Sequence, residues 1–287
     1  SFVRMKLSDP AATVQKVGIG DLDGDGAYDY VFKGPNANID PYSAYWKKSE
    51  ETYWLEARRS DGSLLWKKDL GWGIERGIWY SPFIVWDLTG DGKAEVAVKM
   101  GEGDPRDPDG RVTSGKEWVM ILDGLTGKEL TREEWIPREL LESYNLASRN
   151  QIAVAYLDGK TPALLILRGT YGRMLVRAYE LKQGRLARLW EYDNVESGPR
   201  YWGQGAHFTL SADVDKDGRD EVLLGSVVLD DTGAPLWATG KGHPDAHYLG
   251  DVNPARAGWE IGDVMETAQP RGGGLCVADA RTGELLW

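Results

Sequence analysis

The stretch GDLDGDGAYDYV, Gly20–Val31, places four carboxylates, those of Asp21, Asp23, Asp25 and Asp29, within nine residues. Like charges this close repel one another unless something offsets them. The glycines between them favour a tight turn, and the β-rich segments on either side favour strands. The stretch therefore predicts a β-hairpin whose acidic turn holds a cation.

The acidic turn recurs along the chain. Two close copies are Asp87-Leu-Thr89-Gly-Asp91-Gly-Lys-Ala-Glu95 and Asp213-Val-Asp215-Lys-Asp217-Gly-Arg-Asp-Glu221, and weaker relatives occur at residues 157–159 and 251–253. A second phrase, of the form Thr-Gly-x-x-Leu-Trp, also returns once in most units, as in Thr232-Gly-Ala-Pro-Leu-Trp237. This phrase predicts a turn that leads into an outer strand.

Two hairpins per unit, repeated, are typical of the four-stranded antiparallel blade of a β-propeller. The sequence predicts an all-β propeller domain over residues 1–287, with blade units near 14–66, 78–130, 150–190, 206–237 and 246–287. Five units account for the chain, and we expect them to be an arc of a larger ring. A β-sandwich with Asp-Gly turns is the alternative, and the coincidence of both repeated phrases disfavours it.

The oxygen-rich turns suit Ca²⁺, which takes about 6–8 oxygen ligands in flexible geometry. We expect several calcium ions, bound by Asp21, Asp23, Asp25, Asp29, Asp87, Asp91, Glu95, Asp213, Asp215, Asp217 and Glu221. The alternative is a set of ion-free Asp-Gly turns. Calcium sites of this kind fill where calcium is plentiful, which favours a secreted or periplasmic location.

Composition excludes several classes of protein. The chain of 287 residues is 41% hydrophobic and 28% charged, with a net charge of −11, so we expect no nucleic-acid partner. It has no apolar run long enough to span a membrane, and we expect a monomer. The single cysteine, Cys276, excludes an internal disulfide.

In an up-and-down blade, the acidic turns lie at one end of the strands, and the segments that precede strand one and follow strand two lie at the other. That other end collects the longest loops, all three histidines and a group of arginines and lysines. The pattern indicates a groove for an anionic ligand. The arginines could instead brace the loops by pairing with neighbouring aspartates. His243 and His247 could form a metal pair, but the sequence shows no third ligand.

Five ordered motifs resemble rhamnogalacturonan lyases of polysaccharide lyase family 11. They are VGIGDLDGDGAYDYVFK, WDLTGDGKAEVAVKMGEGDPRDPDGRVTSG, AVAYLDGKTPALLILRGTY, GQGAHFTLSADVDKDGRDEV and TGKGHPDAHYLGDVNPARAGWEI. The resemblance implies a secreted eight-bladed, calcium-binding propeller that cleaves pectin by β-elimination. It also implies a full chain about twice this long. The segments around residues 35–57 and 71–83 depart from the best-known members.

This resemblance implies cleavage of the rhamnogalacturonan I backbone at galacturonic acid, with neutralisation of the uronate carboxylate and removal of the C5 proton. The catalytic base is not assigned, and its candidates in this chain are Tyr80, His207, His243 and His247. The predicted substrate contacts are Arg76, Lys99, Arg106, Arg111, Asn36 and Asn38. The competing function is a non-catalytic, calcium-braced propeller module for glycan binding or adhesion.

Overall fold

A computed structural model describes residues 4–266 and 274–287 of the chain. Two compact units are present, one of Ser1–Leu140 with Leu181–Ala187 and one of Leu141–Glu180 with Arg188–Trp287. The described residues are built almost entirely from antiparallel sheets, each with its strands in chain order. The all-β prediction is therefore confirmed.

The first two sheets have four strands each. Their bounds are β1 Lys16–Gly20, β2 Asp29–Gly34, β3 Trp54–Arg58, β4 Leu64–Asp69, β5 Phe83–Trp86, β6 Glu95–Gly101, β7 Glu117–Leu122 and β8 Glu129–Glu134.

The next two sheets also have four strands, and the fifth has three described strands. Their bounds are β9 Asn150–Ala155, β10 Ala163–Arg168, β11 Leu175–Lys182, β12 Arg185–Asp193, β13 Gly205–Ala212, β14 Glu221–Gly225, β15 Val227–Leu229, β16 Pro235–Ala238, β17 Pro244–Gly250, β18 Glu260–Met265 and β19 Leu275–Asp279.

Each acidic stretch is the turn of a hairpin, as predicted. The residue before the turn pairs with the residue after it: Gly20 with Asp29, Trp86 with Glu95, and Ala212 with Glu221. Aspartate side chains close these turns by accepting hydrogen bonds from their own backbone, which explains why the local sequence suffices to specify them.

The core consists of apolar side chains between neighbouring sheets, and the fully buried strands are rich in β-branched and leucine residues. Strand β6 is buried from Glu95 to Met100, and every residue of β10 is buried. Such near-continuous apolar runs are expected where a strand is covered on both faces.

Tryptophans of the second repeated phrase join consecutive sheets. The indole Nε1 of Trp66 in β4 donates to the carbonyl of Gly124, at 2.7 Å, in the β7–β8 turn. Trp190 in β12 donates to Asp231, and Trp237 in β16 donates to Ala280, each in the following sheet. Each indole also lies on a turn glycine, Gly127, Gly233 or Gly283, where a Cβ would approach the ring to 2.5–2.6 Å. We call these contacts indole joints.

Helical structure is minimal. The helical spacing between Pro137 and Tyr144 predicts one short helix, but the structure has a 3₁₀ turn at Arg138–Leu140 and a single α-helical turn at Tyr144–Ala147. Ser143 caps the second piece by accepting a hydrogen bond from Leu146 N, so the α-helical turn begins separately from the 3₁₀ turn. No helix among the described residues has the length and apolarity needed to cross a membrane.

Candidate functional site

Two histidines and an aspartate meet in the second unit. His207, His243 and Asp245 each offer one ligand atom, and these atoms all lie within 4.8 Å of one another. His207 lies in β13, His243 directly precedes β17, and Asp245 lies in β17. Two imidazoles and a carboxylate at this separation form a ligand set for a divalent cation. We call these three residues the histidine cluster.

The histidine cluster is tightly arranged. The rings of His207 and His243 are 4.7 Å apart between centroids, at 78°. His207 Nε2 lies 3.5 Å from Asp245 Oδ1 and 3.2 Å from the hydroxyl of Tyr171. His243 Nδ1 is hydrogen-bonded to the carbonyl of Gly205, which leaves Nε2 as the available ligand atom, 3.4 Å from Glu266 Oε2. A backbone partner on one ring nitrogen is the usual way to orient a metal-binding imidazole.

Two β-bulges aim these side chains. In the β13–β14 ladder, Gly205 pairs with Gly225 and Leu210 with Leu223, so residues 206–209 oppose a single residue. In the β17–β18 ladder, Pro244 pairs with Met265 and Ala246 with Val264, which leaves Asp245 as the extra residue. Bulges at strand ends re-aim side chains next to functional sites. Here they turn His207 and Asp245 toward His243.

The surroundings of the histidine cluster are buried and carry a positive charge. The Tyr171 ring lies 4.4 Å from that of His243, and the Arg149 guanidinium lies 5.2 Å from the Tyr171 centroid. Arg149 is 4% exposed and donates to Asn145 Oδ1. Burial lowers the pKa of His243 below its ordinary 6.5, and the charge of Arg149 adds to this effect. His243 is therefore neutral near pH 7, the state in which imidazole binds metals.

The turn that carries Tyr171 follows β10 and depends on a glycine. Gly169 has φ +92°, and a Cβ there would lie 2.0 Å from the carbonyl oxygen of Arg173. Only glycine fits this left-handed, crowded position. The turn after β10 and the residues before β9 and β17 thus meet at one end of the strands in this unit, as the topology predicts.

Two of the candidate bases, His247 and Tyr80, are buried. His247 is fully buried, with Nε2 bonded to the carbonyl of Phe208 at 2.7 Å, and burial lowers its pKa to about 4. His247 does not pair with His243. The histidine beside His243 is His207, which precedes it by 36 residues in the sequence. Tyr80 is 5% exposed in the first unit. Tyr80 is as buried as His243, which is also 5% exposed, so the identity of the base stays a prediction.

The predicted substrate contacts all lie in the first unit, and the four cations among them have acidic partners. Arg106 makes a two-pronged contact with Asp104, at 2.6 and 2.5 Å. Arg76 pairs with Glu51 at 2.9 Å, and Arg111 with Asp109 at 3.5 Å. Lys99 needs correction as a substrate contact, because it is 2% exposed and its ammonium is paired with the half-buried Glu117. Asn36 and Asn38 are exposed.

The first and third acidic turns bring carboxylates together. Asp21, Asp23 and Asp25 form one group with ligand atoms within 4.8 Å, and Asp213, Asp215 and Glu221 form another. In the third turn, Oε2 of Glu221 accepts from Val214 N at 2.8 Å, whereas Oε1 is buried and accepts no hydrogen bond from the described residues. A buried carboxylate oxygen that accepts no hydrogen bond is suited to bind a cation.

Other acids of these turns are used by the backbone. Asp29 is 1% exposed and accepts from Leu22 N and Ser60 N, so it ties the β1–β2 turn to the β3–β4 turn. Asp217 is likewise outside the groups of three. In the second turn, Asp87 accepts from the backbone of Gly90, Asp91 and Gly92, and Glu95 accepts from Leu88 N. Among the described residues this turn brings no three carboxylates within that distance.

The sequence analysis missed four residues around the histidine cluster: Arg149, Tyr171, Asp245 and Glu266. All four lie at strand ends in the loop class that the topology assigns to the functional end. Their position at those strand ends was the one signal in the sequence that could have identified them. Their assembly depends on how separate sheets pack, which the sequence does not specify.

Comparison with known proteins agrees with the resemblance. The sequence matches the model of "Rhamnogalacturonan lyase family 11, C-terminal domain" over residues 10–287. It is 39% identical to the rhamnogalacturonan exolyase YesX and 38% identical to the endolyase YesW, both of Bacillus subtilis, over 94% of this chain and 47% and 46% of theirs.

Solved structures give the same result. The structure of YesX covers 99% of this chain with a TM-score of 0.92 at 35% identity, and 52% of that protein is matched. A rhamnogalacturonan lyase of Bacillus licheniformis covers 96%, with a TM-score of 0.88 at 35% identity and 50% of its chain matched. The chain thus spans about half the length of the relatives it matches. Sequence motifs, sheet architecture and both comparisons lead to one conclusion: this chain belongs to rhamnogalacturonan lyase family 11.

Proposed function

We propose that this chain is part of a lyase that cleaves the rhamnogalacturonan I backbone of pectin by β-elimination at galacturonic acid. The observation that carries the proposal is the histidine cluster, in which His207, His243 and Asp245 offer ligand atoms within 4.8 Å. Family membership supports the substrate class, since the matched relatives are named rhamnogalacturonan lyases. It also favours an enzyme over a non-catalytic glycan-binding module.

β-Elimination removes the C5 proton of the uronate, forms a C4–C5 double bond and expels the C4 substituent. The carboxylate beside C5 opposes this, because its negative charge disfavours further charge at C5. A divalent cation held by His207, His243 and Asp245 would supply the neutralising charge at that carboxylate.

The remaining side chains orient the substrate. Arg149, whose guanidinium lies over the ring of Tyr171, adds a positive charge beside the cluster and attracts the uronate. The Tyr171 hydroxyl positions His207 through their 3.2 Å hydrogen bond. His207 and His243 act in this proposal as cation ligands, which removes them as the base that takes the C5 proton.

We further propose that the first and third acidic turns hold structural calcium, and that the five sheets are successive blades of a propeller. The two clusters of three carboxylates, one in each turn, and the buried Oε1 of Glu221 support the calcium sites. Four-stranded meanders with recurring indole joints support the propeller. A calcium-dependent polysaccharide lyase of this kind would work outside the cytosol.

The test uses the complete protein that carries this chain. Incubation with rhamnogalacturonan I and Ca²⁺ is expected to give rising ultraviolet absorbance from the unsaturated product. His207→Ala and His243→Ala should abolish this rise and remove one site from a calorimetric Ca²⁺ or Mn²⁺ titration. The melting temperature should fall, more for the buried His243, and the comparison is made at a temperature where both variants are folded. Cation binding unaltered in both variants would contradict the assignment of the cluster.

A matched control comes from the acidic turns. Asp23→Asn with Asp25→Asn should lower the melting temperature and its dependence on calcium, while the folded variant keeps turnover. If this double variant stays equally stable but loses turnover, the acidic turns carry the chemistry and the roles assigned to the two sites are reversed.

A further inference from the structure

The loop between β2 and β3, residues 35–53, displays two exposed tyrosines. Tyr42 is 51% and Tyr45 69% exposed. Their ring centroids are 5.9 Å apart and tilted by 55°, so the two rings form one continuous aromatic surface. We call this pair the tyrosine platform. It stands at the end of the first sheet opposite the acidic turn, because β2 runs away from that turn.

The platform is held in place from below. Tyr45 N and Trp46 N both donate to the carbonyl of Tyr42, at 2.9 and 3.0 Å, and Tyr42 N donates to Asp40 Oδ1 at 2.7 Å. The next residue, Trp46, anchors the loop through a 2.8 Å hydrogen bond from its Nε1 to Glu75. A surface that is ordered before binding loses less conformational entropy when a ligand arrives.

The anchor itself is buried and charged. Glu75 is 1% exposed and also accepts from Val112 N at 2.9 Å, while the Arg111 guanidinium covers the other side of Trp46 at 4.1 Å from its ring centroid. Ser49 is 3% exposed and accepts from Arg76 N at 3.0 Å. The loop therefore buries its anchoring side chains and leaves the tyrosines outside, an arrangement that a loop with a purely structural role does not require.

Two lysines follow the tyrosine platform along the chain. Lys47 and Lys48 follow directly and are exposed. Of the acids nearby, Glu51 is paired with Arg76 and Asp109 with Arg111. Asp104 is paired with Arg106, and the charge of Lys48 helps to lower its pKa, whereas Glu50 is exposed. The large exposed side chains of the stretch Tyr42-Ser-Ala-Tyr-Trp-Lys-Lys48 are thus an aromatic pair followed by a cationic pair, with the small Ser43 and Ala44 exposed between the tyrosines.

We propose that the tyrosine platform, with Lys47 and Lys48, is an accessory binding surface for the rhamnogalacturonan chain. That polymer alternates a neutral deoxyhexose with an anionic uronate. The deoxyhexose has an apolar C–H face and a methyl group that suit an aromatic ring, and the uronate suits an ammonium group. The choice of polymer depends on the proposed function. The assignment of sugar-binding residues depends on the loop alone.

The experiment measures binding separately from cleavage. Calorimetry with the complete protein, in a His207→Ala background that blocks turnover, would compare rhamnogalacturonan I oligosaccharides with oligogalacturonate and neutral galactan. Tyr42→Ala with Tyr45→Ala should weaken rhamnogalacturonan binding roughly tenfold. Lys47→Gln with Lys48→Gln should weaken it about threefold at low salt and little at high salt. Galactan, which lacks both features, should bind weakly to every variant.

Tyr28→Ala is the matched control, since Tyr28 is 71% exposed but lies in the acidic turn at the other end of the same sheet. It should bind like the parent. Equal rhamnogalacturonan affinity for the parent and the folded Tyr42→Ala/Tyr45→Ala protein would overturn the proposal, as would a Tyr28→Ala loss of the same size. Tyrosine-dependent binding without any unsaturated product from the wild type would refute the proposed lyase function and leave this surface standing.

Discussion

Replacing Trp66 by phenylalanine tests the indole joint between the first two sheets. Trp66 is 8% exposed, its Nε1 lies 2.7 Å from the carbonyl of Gly124, and its ring lies against Gly127. Phenylalanine keeps an aromatic ring at the site but has no N–H to donate and a smaller volume. The substitution therefore removes the hydrogen bond and part of the packing.

The magnitude follows from these two losses. A buried acceptor that loses its donor costs about 1–3 kcal/mol, and the volume lost from the indole adds about 1 kcal/mol. We expect the free energy of unfolding to fall by about 2–4 kcal/mol in total. For a unit of this size, that corresponds to a melting temperature lower by roughly 5–15 °C.

Calorimetry at fixed calcium concentration, supported by urea unfolding, measures this change. Trp86→Phe is the control, because Trp86 lies in the same unit but is 39% exposed; it should change stability by less than about 0.5 kcal/mol. Gly127→Ala disturbs the same joint, so its effect should be non-additive with Trp66→Phe. A Trp66→Phe protein as stable as the control variant would refute this account of the joint.

Three further predictions concern buried titratable groups in the second unit. Burial raises the pKa of Asp263 to about 6, so the folded state holds its proton more tightly than the unfolded state. Stability should therefore fall by about 3 kcal/mol as pH rises from 4 through 6, and Asp263→Asn should remove this loss in pH-dependent urea unfolding. His247, whose folded pKa is about 4, has the opposite sign: stability should fall by about 3 kcal/mol as pH drops from 6.5 through 4, and His247→Gln should flatten that limb of the curve. Burial raises the pKa of Cys276 to about 11, so a thiol reagent at pH 8 should label it only at the rate of unfolding; rapid labelling of the folded protein would contradict its core position in β19.

Much of the fold follows from short-range rules that a sequence displays. Asp21 accepts hydrogen bonds from the backbone of Gly24, Asp25 and Gly26, all within five residues, so the turn can be recognised from its residues alone. The turn before Trp237 is also local, since Gly233 N donates to the carbonyl of Asp230 and the Thr232 hydroxyl donates to its carboxylate. The repeated meander then follows because each such turn reverses the chain between two neighbouring strands.

The histidine cluster lay beyond these rules for a physical reason. Simple alternation along β17 places Asp245 and His247 on the same side of the strand, which favours them as neighbours. The bulge at Asp245 breaks that alternation, so Asp245 turns to His207 while His247 enters the core. A bulge depends on the partner strand and the next sheet. The ion pair of Arg106 with the neighbouring Asp104 was open to prediction from the sequence, whereas the pair of Arg76 with the distant Glu51 depends on loop conformation.

The indole joints have a consequence for how such chains can lengthen. Each joint needs one tryptophan in an outer strand and one glycine in the following turn, and the fourth sheet carries both, as Gly233 and Trp237. A segment of that kind could be duplicated or deleted in the gene and leave every joint complete. Each copy brings a glycine that accommodates the preceding tryptophan and a tryptophan that contacts the next sheet. A sheet built like the fourth is therefore a segment that could be gained or lost as a whole, and chains with different numbers of such sheets could assemble by the same contacts.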